Sequence, residues 1–528
     1  MQHENSLPEF RYGEDYLTIG RALRLARGQE KGILTAAVRA KVGQNRKVVE
    51  SIVLKQKIVY GINTGFGPLC TTLIGEEDTR KLQYNLLMSH SVGVGKSIDK
   101  ETAYLMMILK VHALCKGYSG IAVETIERIL WHIENNIIPC VPEQGSVGAS
   151  GDLAPLSHLF LPLIGMGKVF YRDEVKPMSE VLELLGLQPV ALGPKEGLAL
   201  INGTQFMSAH AVILVEKLQN CLDHADIIAA MDHEAMMGSV KCFDEELQNL
   251  RPYSGSIYVA KRMRTLLHHS EIVVSHKNCH RVQDPYSLRC IPQVHGASRN
   301  AWLHLKETIL IEINSVTDNP IIFSEDKTIS GGLFHGQAIA MPIDYAGLAA
   351  AELGNIADRR VYLSMTETVP GLPKLLMKHT GLNSGFMILQ YTTAALASEN
   401  KTLCFPASAD SIPTSLGQED HVSMGSIGVR KSLRIVDNLE KILAIELLTA
   451  AQGFDFRKPL KSGILVEETH ALIREHITFA DTDRIFSDDI EKAIALIQSK
   501  AIIRHLGQVA KKHHIDFKNN DHELFGIY

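Results

Sequence analysis

From about residue 200 onward, apolar residues recur at steps of three and four over spans longer than an ordinary helix. Ile435, Leu439, Ile442, Ile445 and Leu448 form one stripe on a single helical face. The stretches 205–231, 296–316, 344–365, 384–402 and 425–453 all read as long helices. Several are rich in small residues, as in Ala346-Gly-Leu-Ala-Ala-Ala-Glu352. Small side chains at a contact let helix backbones approach closely, so this patterning predicts a tightly packed bundle. Stop signals separate the helices at Asp318-Asn-Pro320, Val369-Pro-Gly-Leu-Pro373 and Gly381-Leu-Asn-Ser-Gly385. Strand signals are few. Val169-Phe170-Tyr171 reads as one short strand, and Ile321-Ile322-Phe323 before Ser324-Glu325-Asp326-Lys327 as one edge of a hairpin.

At 528 residues the chain exceeds one compact core. The predicted organisation is a loop-rich N-terminal domain over 1–205, a central helical bundle over 206–455 and a helical C-terminal segment over 456–528. A formal charge of −5 gives no reason to expect nucleic acid. The run Lys261-Arg262-Met263-Arg264 is expected to be a solvated helix face. The polar N-terminus lacks a secretory pattern, and no apolar run approaches the ~20 residues that span a bilayer. Eight scattered cysteines suggest reduced thiols in a cytoplasmic protein.

Glycine-dense loops crowd the first 200 residues, and loops are where catalytic groups tend to sit. The segment Gly145-Ser-Val-Gly-Ala-Ser-Gly-Asp-Leu-Ala-Pro-Leu-Ser-His158 centres on Ala149-Ser150-Gly151. That tripeptide can make its own electrophile. The Gly151 nitrogen can attack the Ala149 carbonyl carbon, and loss of two waters leaves a five-membered imidazolone with an exocyclic methylene at Ser150. Gly151 has no side chain to hinder the attack or forbid the tight turn. Ala149 is small, and Ser150 supplies the oxygen that leaves.

This segment, with Tyr60-Gly-Ile-Asn-Thr-Gly-Phe-Gly67 and Glu196-Gly-Leu-Ala-Leu-Ile-Asn-Gly-Thr204, closely resembles the aromatic amino acid ammonia-lyase family. Matching motifs run from about residue 60 to residue 453. The resemblance implies a mainly α fold of the fumarase/aspartase-like superfamily and a homotetramer whose active sites are shared between subunits. It also implies that Ala149-Ser150-Gly151 becomes 4-methylidene-imidazol-5-one (MIO), with no external cofactor, and that the partner is a small amino acid substrate. Tyr60 then matches the catalytic base. Arg289 matches the arginine that holds the substrate carboxylate, as a planar guanidinium can with two parallel bonds. Gln283, Tyr286 and Asn202 match site-lining residues, and Phe334 matches a ring-facing aromatic. Asp152 and Asn202 are candidates to position the loop for cyclisation. Where many relatives carry asparagine, this chain has Leu333.

His90 and Glu419 occupy the positions that read the substrate's ring. Phenylalanine-directed relatives usually place apolar residues at the first, and phenylalanine- and tyrosine-directed relatives usually place glutamine at the second. A carboxylate suits an imidazole N–H, which it can accept. His90 with Glu419 therefore implies a histidine-directed ammonia-lyase producing urocanate. The alternatives are a tyrosine-directed lyase, an MIO-dependent aminomutase, or a non-catalytic homologue without the ring. His268, His269, His276, Cys279 and His280 cluster in sequence but fit no closed zinc pattern, so no metal is expected. Gly331-Gly332 and the Gly61–Gly67 loop lack the lysine of a phosphate cradle.

Overall fold

In the computed structural model, which describes residues 7–62, 64, 76–277, 281–517 and 522–528, the predicted apolar stripe lies at the centre of the molecule. The helices that frame the candidate site are numbered in chain order. They are α1 (Glu76–His90), α2 (Lys100–Leu114), α3 (Leu153–Phe160), α4 (Glu196–Ile201), α5 (Gln205–Ala235), α6 (Ile291–Glu312), α7 (Gln337–Ser364), α8 (Met387–Leu403) and α9 (Gly425–Asp455). Ile435, Leu439, Ile442, Ile445 and Leu448 of α9 are all buried. Each contributes about 1.5–3 kcal/mol by leaving water.

α9 packs against α5, α7 and α8, and α6 packs against α5 and α7. The small residues explain the closeness of these contacts. A Cβ added at Gly347 of α7 would come within 2.7 Å of Ser432 Oγ, and one at Gly354 within 3.1 Å of Ile442 Cδ1. Both neighbours belong to α9. α5 is buried on every side, which a helix tolerates only inside a bundle.

Helix boundaries differ modestly from the sequence reading. α6 begins at Ile291 with Pro292 in its first turn and ends at Glu312, so the predicted 316 lies beyond it. α7 starts seven residues before the predicted 344, with Pro342 inside it. The C-terminal segment is helical over Ile464–His476, Phe486–Gln498 and Ala501–Lys512.

Strands are short and peripheral. β1 (Glu9–Arg11) and β2 (Lys31–Ile33) pair in parallel. β3 (Val94–Ser97), β4 (Ile138–Pro139) and β5 (Pro142–Gln144) follow, with β3 and β5 antiparallel neighbours. β4 joins β6 (Lys168–Tyr171) and β7 (Glu174–Pro177) in a three-stranded antiparallel sheet, so the predicted strand at 169–171 is present. The predicted hairpin is β8 (Ile321–Ile322) with β9 (Thr328–Ile329).

One expectation is corrected. Arg262 is not solvated: it is buried, and its Nε donates to Asp226 Oδ2 at 3.0 Å. Arg299 donates to the same oxygen at 2.6 Å, and His295 Nδ1 lies 2.9 Å from Asp226 Oδ1. Burial pushes the Asp226 carboxyl up, but Arg299, His295 and Arg262 outweigh it and hold it well below the usual carboxylate range. The sequence could not show this, because the anion sits on a different helix.

Among the described residues no helix is long and apolar enough to cross a membrane. Among them also, no three His, Cys, Asp or Glu side chains group as a metal site. Cys279 and His280 lie outside the described residues.

Candidate active site

The Ala149-Ser150-Gly151 loop is held by three separate parts of the chain. The entry to α9 holds one side: Met424 N donates to Val147 O at 3.0 Å, and Ser426 Oγ donates to Ser146 O at 2.5 Å. The Asn202-Gly203 turn between α4 and α5 holds the other. Asn202 Nδ2 donates to the Ser150 carbonyl at 3.0 Å, and Asp152 N donates to Gly203 O at 2.7 Å. The first turn of α5 holds the back, where Met207 N donates to Asp152 Oδ2 at 3.0 Å. Ser146 Oγ donates to the other oxygen of that carboxyl at 3.0 Å.

Gly151 has φ +74°, and a Cβ there would lie 2.1 Å from Gly203 O. Only glycine fits, which keeps the nitrogen of residue 151 unhindered. Asp152 is fully buried. Burial pushes its carboxyl up to about 7, against the lowering effect of the Met207 and Phe206 amides and the Ser146 hydroxyl.

Beside this loop lies a cavity of about 990 Å³. Its walls include Tyr60, His90, Ala149, Ser150, Asn202, Phe334 and Glu419. Seven of the expected residues, spread over 360 positions of sequence, thus meet at one place. Tyr60 is carried by a turn whose next residue, Gly61, has φ +74° and sits 2.6 Å, as an added Cβ, from Leu198 Cδ2 of α4. Gly61 N donates to Thr64 Oγ1 at 3.2 Å. Asn63, Gly65, Phe66 and Gly67 of that motif lie outside the described residues.

Glu419 is the charged group with the richest contacts. Its Oε1 accepts from Ser150 Oγ at 2.7 Å. Its Oε2 accepts from Thr414 Oγ1 at 3.0 Å and Ser415 Oγ at 2.9 Å. His90 ends α1 and is half-buried; its Nδ1 lies 3.0 Å from Ser89 Oγ. Burial lowers the His90 pKa, opposed by the Leu86 carbonyl and by the negative charge of Glu419. α3 opens onto the cavity through its first residue, Leu153, whereas the first turn of α5 is turned to the Asp152 carboxyl. Helix N-termini favour negative charge. Asn202 is buried, and its Oδ1 has no hydrogen-bond partner among the described residues.

Gln283, Tyr286 and Arg289 do not meet the others within one chain. Tyr286 opens the short turn Tyr286–Arg289 and lines a second cavity of about 640 Å³, against α7 and α8. It is 70% exposed. The Arg289 guanidinium lies over the Tyr286 ring at 4.6 Å, and its buried Nε has no acceptor among the described residues. Gln283 is exposed.

The sequence reading passed over several groups at this site. Thr414 and Ser415 orient Glu419, and hydroxyls four and five residues before a carboxylate were the available signal. His335 and His421 stack at 5.8 Å on the cavity wall. Lys110 of α2 donates from Nζ to the Asn202 carbonyl at 2.6 Å. Its signal was a lone cation inside the run Leu105-Met-Met-Ile-Leu-Lys-Val111.

Comparison with known proteins places these features in context. The profile described as aromatic amino acid lyase matches residues 17–475. The histidine ammonia-lyase of Vibrio cholerae serotype O1 is 46% identical over 459 residues, 87% of this chain and 90% of that one. The crystal structure of histidine ammonia-lyase from Trypanosoma cruzi superposes with a TM-score of 0.89 at 38% identity, covering 98% of this chain and 97% of that one. Tyrosine aminomutase from Streptomyces globisporus also superposes at 0.89, with 33% identity over 95% of this chain and 99% of that one.

Proposed function

The chain belongs to the aromatic amino acid lyase family, and from that premise we propose that it eliminates ammonia from L-histidine to give urocanate, a carbon–nitrogen lyase reaction. The observation that carries the substrate assignment is Glu419, a carboxylate in one cavity with His90 and the Ser150 loop. It accepts an imidazole N–H that a neutral amide would hold less strongly. Curated relatives with the histidine activity, 43–46% identical over most of the chain, support the same substrate.

We propose that Ala149-Ser150-Gly151 condenses to MIO. The residues present fit it: the side-chain-free Gly151, the Asn202 amide on the Ser150 carbonyl and the buried Asp152 beside them. The ring supplies an electrophile that captures the substrate amine and makes it a better leaving group. The chain's own groups do the rest. Tyr60 removes the β-proton, and since a free phenol titrates near ~10, the amide end of α3, whose first residue lines the cavity, favours the phenolate it needs. His90 and Glu419 hold the imidazole. Phe334 lines the wall of the cavity.

Among the described residues that line this cavity, the groups able to carry positive charge are histidines. We propose that Arg289 of the partner subunit, with its Gln283 and Tyr286, completes the site in a homotetramer. The exposed Tyr286, Phe405 (82%) and Leu416 (93%) support burial of these surfaces against other copies.

Incubation with L-histidine and, separately, L-tyrosine, followed at the urocanate and coumarate bands, tests the substrate. Intact mass of the same sample tests the ring. Urocanate formation and a deficit of two waters are expected. Preferential turnover of tyrosine overturns the substrate assignment, and an unmodified mass overturns the ring.

A further inference from the structure

Lys110 is fully buried among apolar neighbours on α2, and the reaction outlined above does not use it. Its partner among the described residues is a backbone carbonyl, that of Asn202, and not a carboxylate. The buried pair Lys195–Asp318, at 2.8 Å, acts on it from a distance: Asp318 favours the ammonium and Lys195 opposes it. Burial is the larger effect and pushes the Lys110 pKa down to about 7. An apolar side chain of similar length would avoid this penalty.

The carbonyl that Lys110 holds belongs to the peptide joining Asn202 to Gly203. Those two residues supply the anchors on either side of Gly151: Asn202 Nδ2 on the Ser150 carbonyl, and Gly203 O on the Asp152 amide. We propose that Lys110 is a positioning residue for ring closure, fixing the 202–203 turn that clamps the tripeptide from both sides of Gly151. The inference rests on the proposed MIO chemistry and concerns how the ring forms.

Closure joins the Gly151 nitrogen to the Ala149 carbonyl carbon. The Ala149 oxygen leaves as the first water, with the hydrogens of the Gly151 and Ser150 amides. The second water takes the Ser150 hydroxyl and the hydrogen on its Cα. The Asn202 amide assists this second loss, because a hydrogen bond to the Ser150 carbonyl makes the adjacent Cα–H more acidic. Displacing the turn therefore affects both steps. A misplacement near 1 Å can slow a reaction on the order of a hundredfold.

The test is a time course of intact mass after cell-free synthesis of the full chain, for wild type, Lys110→Met, Lys110→Gln and Lys110→Arg. Circular dichroism and gel filtration check the fold in parallel. Methionine has similar length and no donor; glutamine has a donor but is too short to reach the carbonyl unless the turn shifts. Both are expected to fold and to lose water on the order of a hundredfold more slowly than wild type. Lys110→Arg, which restores a long donor, is expected to recover the loss of two waters. Complete dehydration of Lys110→Met at the wild-type pace overturns the proposal. Should Met fail to fold, Gln is read in its place; failure of both while Arg folds makes Lys110 a requirement of the fold and also overturns it. An undehydrated wild-type chain is a different outcome, which removes the ring itself.

Discussion

Replacing Glu419 with glutamine isolates the charge of one side chain while keeping its shape. Behind it, Thr414 and Ser415 bond to Oε2, and hydroxyls accept as readily as they donate. Those contacts survive as neutral hydrogen bonds, at a loss of about 1 kcal/mol. The bond from Ser150 Oγ belongs to the chain before dehydration and has no part in turnover. The cavity side decides the outcome. There the substrate's imidazole N–H keeps a neutral bond in place of a charge-assisted one, a loss of about 1–1.5 kcal/mol. At ~1.4 kcal/mol per factor of ten, kcat/KM for L-histidine should fall about 5- to 12-fold. The assay is initial-rate urocanate absorbance at subsaturating L-histidine, on variant protein whose mass shows the loss of two waters. That control separates substrate reading from ring formation. The melting temperature should move by less than about 3 °C. A fully dehydrated Glu419→Gln enzyme with kcat/KM within about twofold of wild type would refute the assignment of Glu419 as the imidazole reader.

Three further outcomes are expected. The folded chain keeps a proton on Asp152 up to about 7, whereas the unfolded chain loses it near 3.8, so this group's stabilising contribution is complete below about pH 4 and gone above about pH 7. Asp152→Asn should therefore gain stability relative to wild type as pH rises from 5 to 8, by up to about 2.5 kcal/mol; urea unfolding at the two pH values checks it, and a constant gap between the proteins contradicts it. Ser150→Ala and Arg289→Met should each be inactive alone, yet refolding them together should restore up to about a quarter of the wild-type rate if subunits assort at random and share sites; continued inactivity of the mixture opposes a shared site. Asp226→Ala removes the carboxylate that Arg299 and Arg262 share, leaving Arg299 its 2.9 Å bond to Asp223, and should destabilise the fold by about 3 kcal/mol in calorimetry. A change under about 1 kcal/mol would show that the cluster is not a stabilising pair.

The legibility of this protein divides by range along the chain. The 3.6-residue period is local, so the stripe through Ile435 and Leu448, and the five long helices it belongs to, could be read directly. The Ala149-Ser150-Gly151 chemistry is also local, because its three reacting residues are covalent neighbours. What periodicity cannot convey is which polar residue meets which inside the bundle. Arg262 looks like one more surface cation until Asp226 of α5 is brought against it. Lys110 looks like an interruption of an apolar helix until the Asn202 carbonyl is found at its tip.

The composition of the site follows the same division. Tyr60, His90, Asn202, Phe334 and Glu419 were nominated through the resemblance of their surrounding motifs to the family, not through residue type or spacing alone. Their convergence on one cavity depends on where α1, α4, α7 and α9 begin and end once they pack, a property of the whole core. Packing also set Gln283, Tyr286 and Arg289 apart from that cavity in the single chain. The amino-acid order by itself determined the helical architecture and an electrophile-forming tripeptide, since both arise from contacts between near neighbours. The tertiary structure alone decided which buried charges are paired and which turn braces the tripeptide, because each depends on groups far apart in the chain sharing one low-dielectric interior.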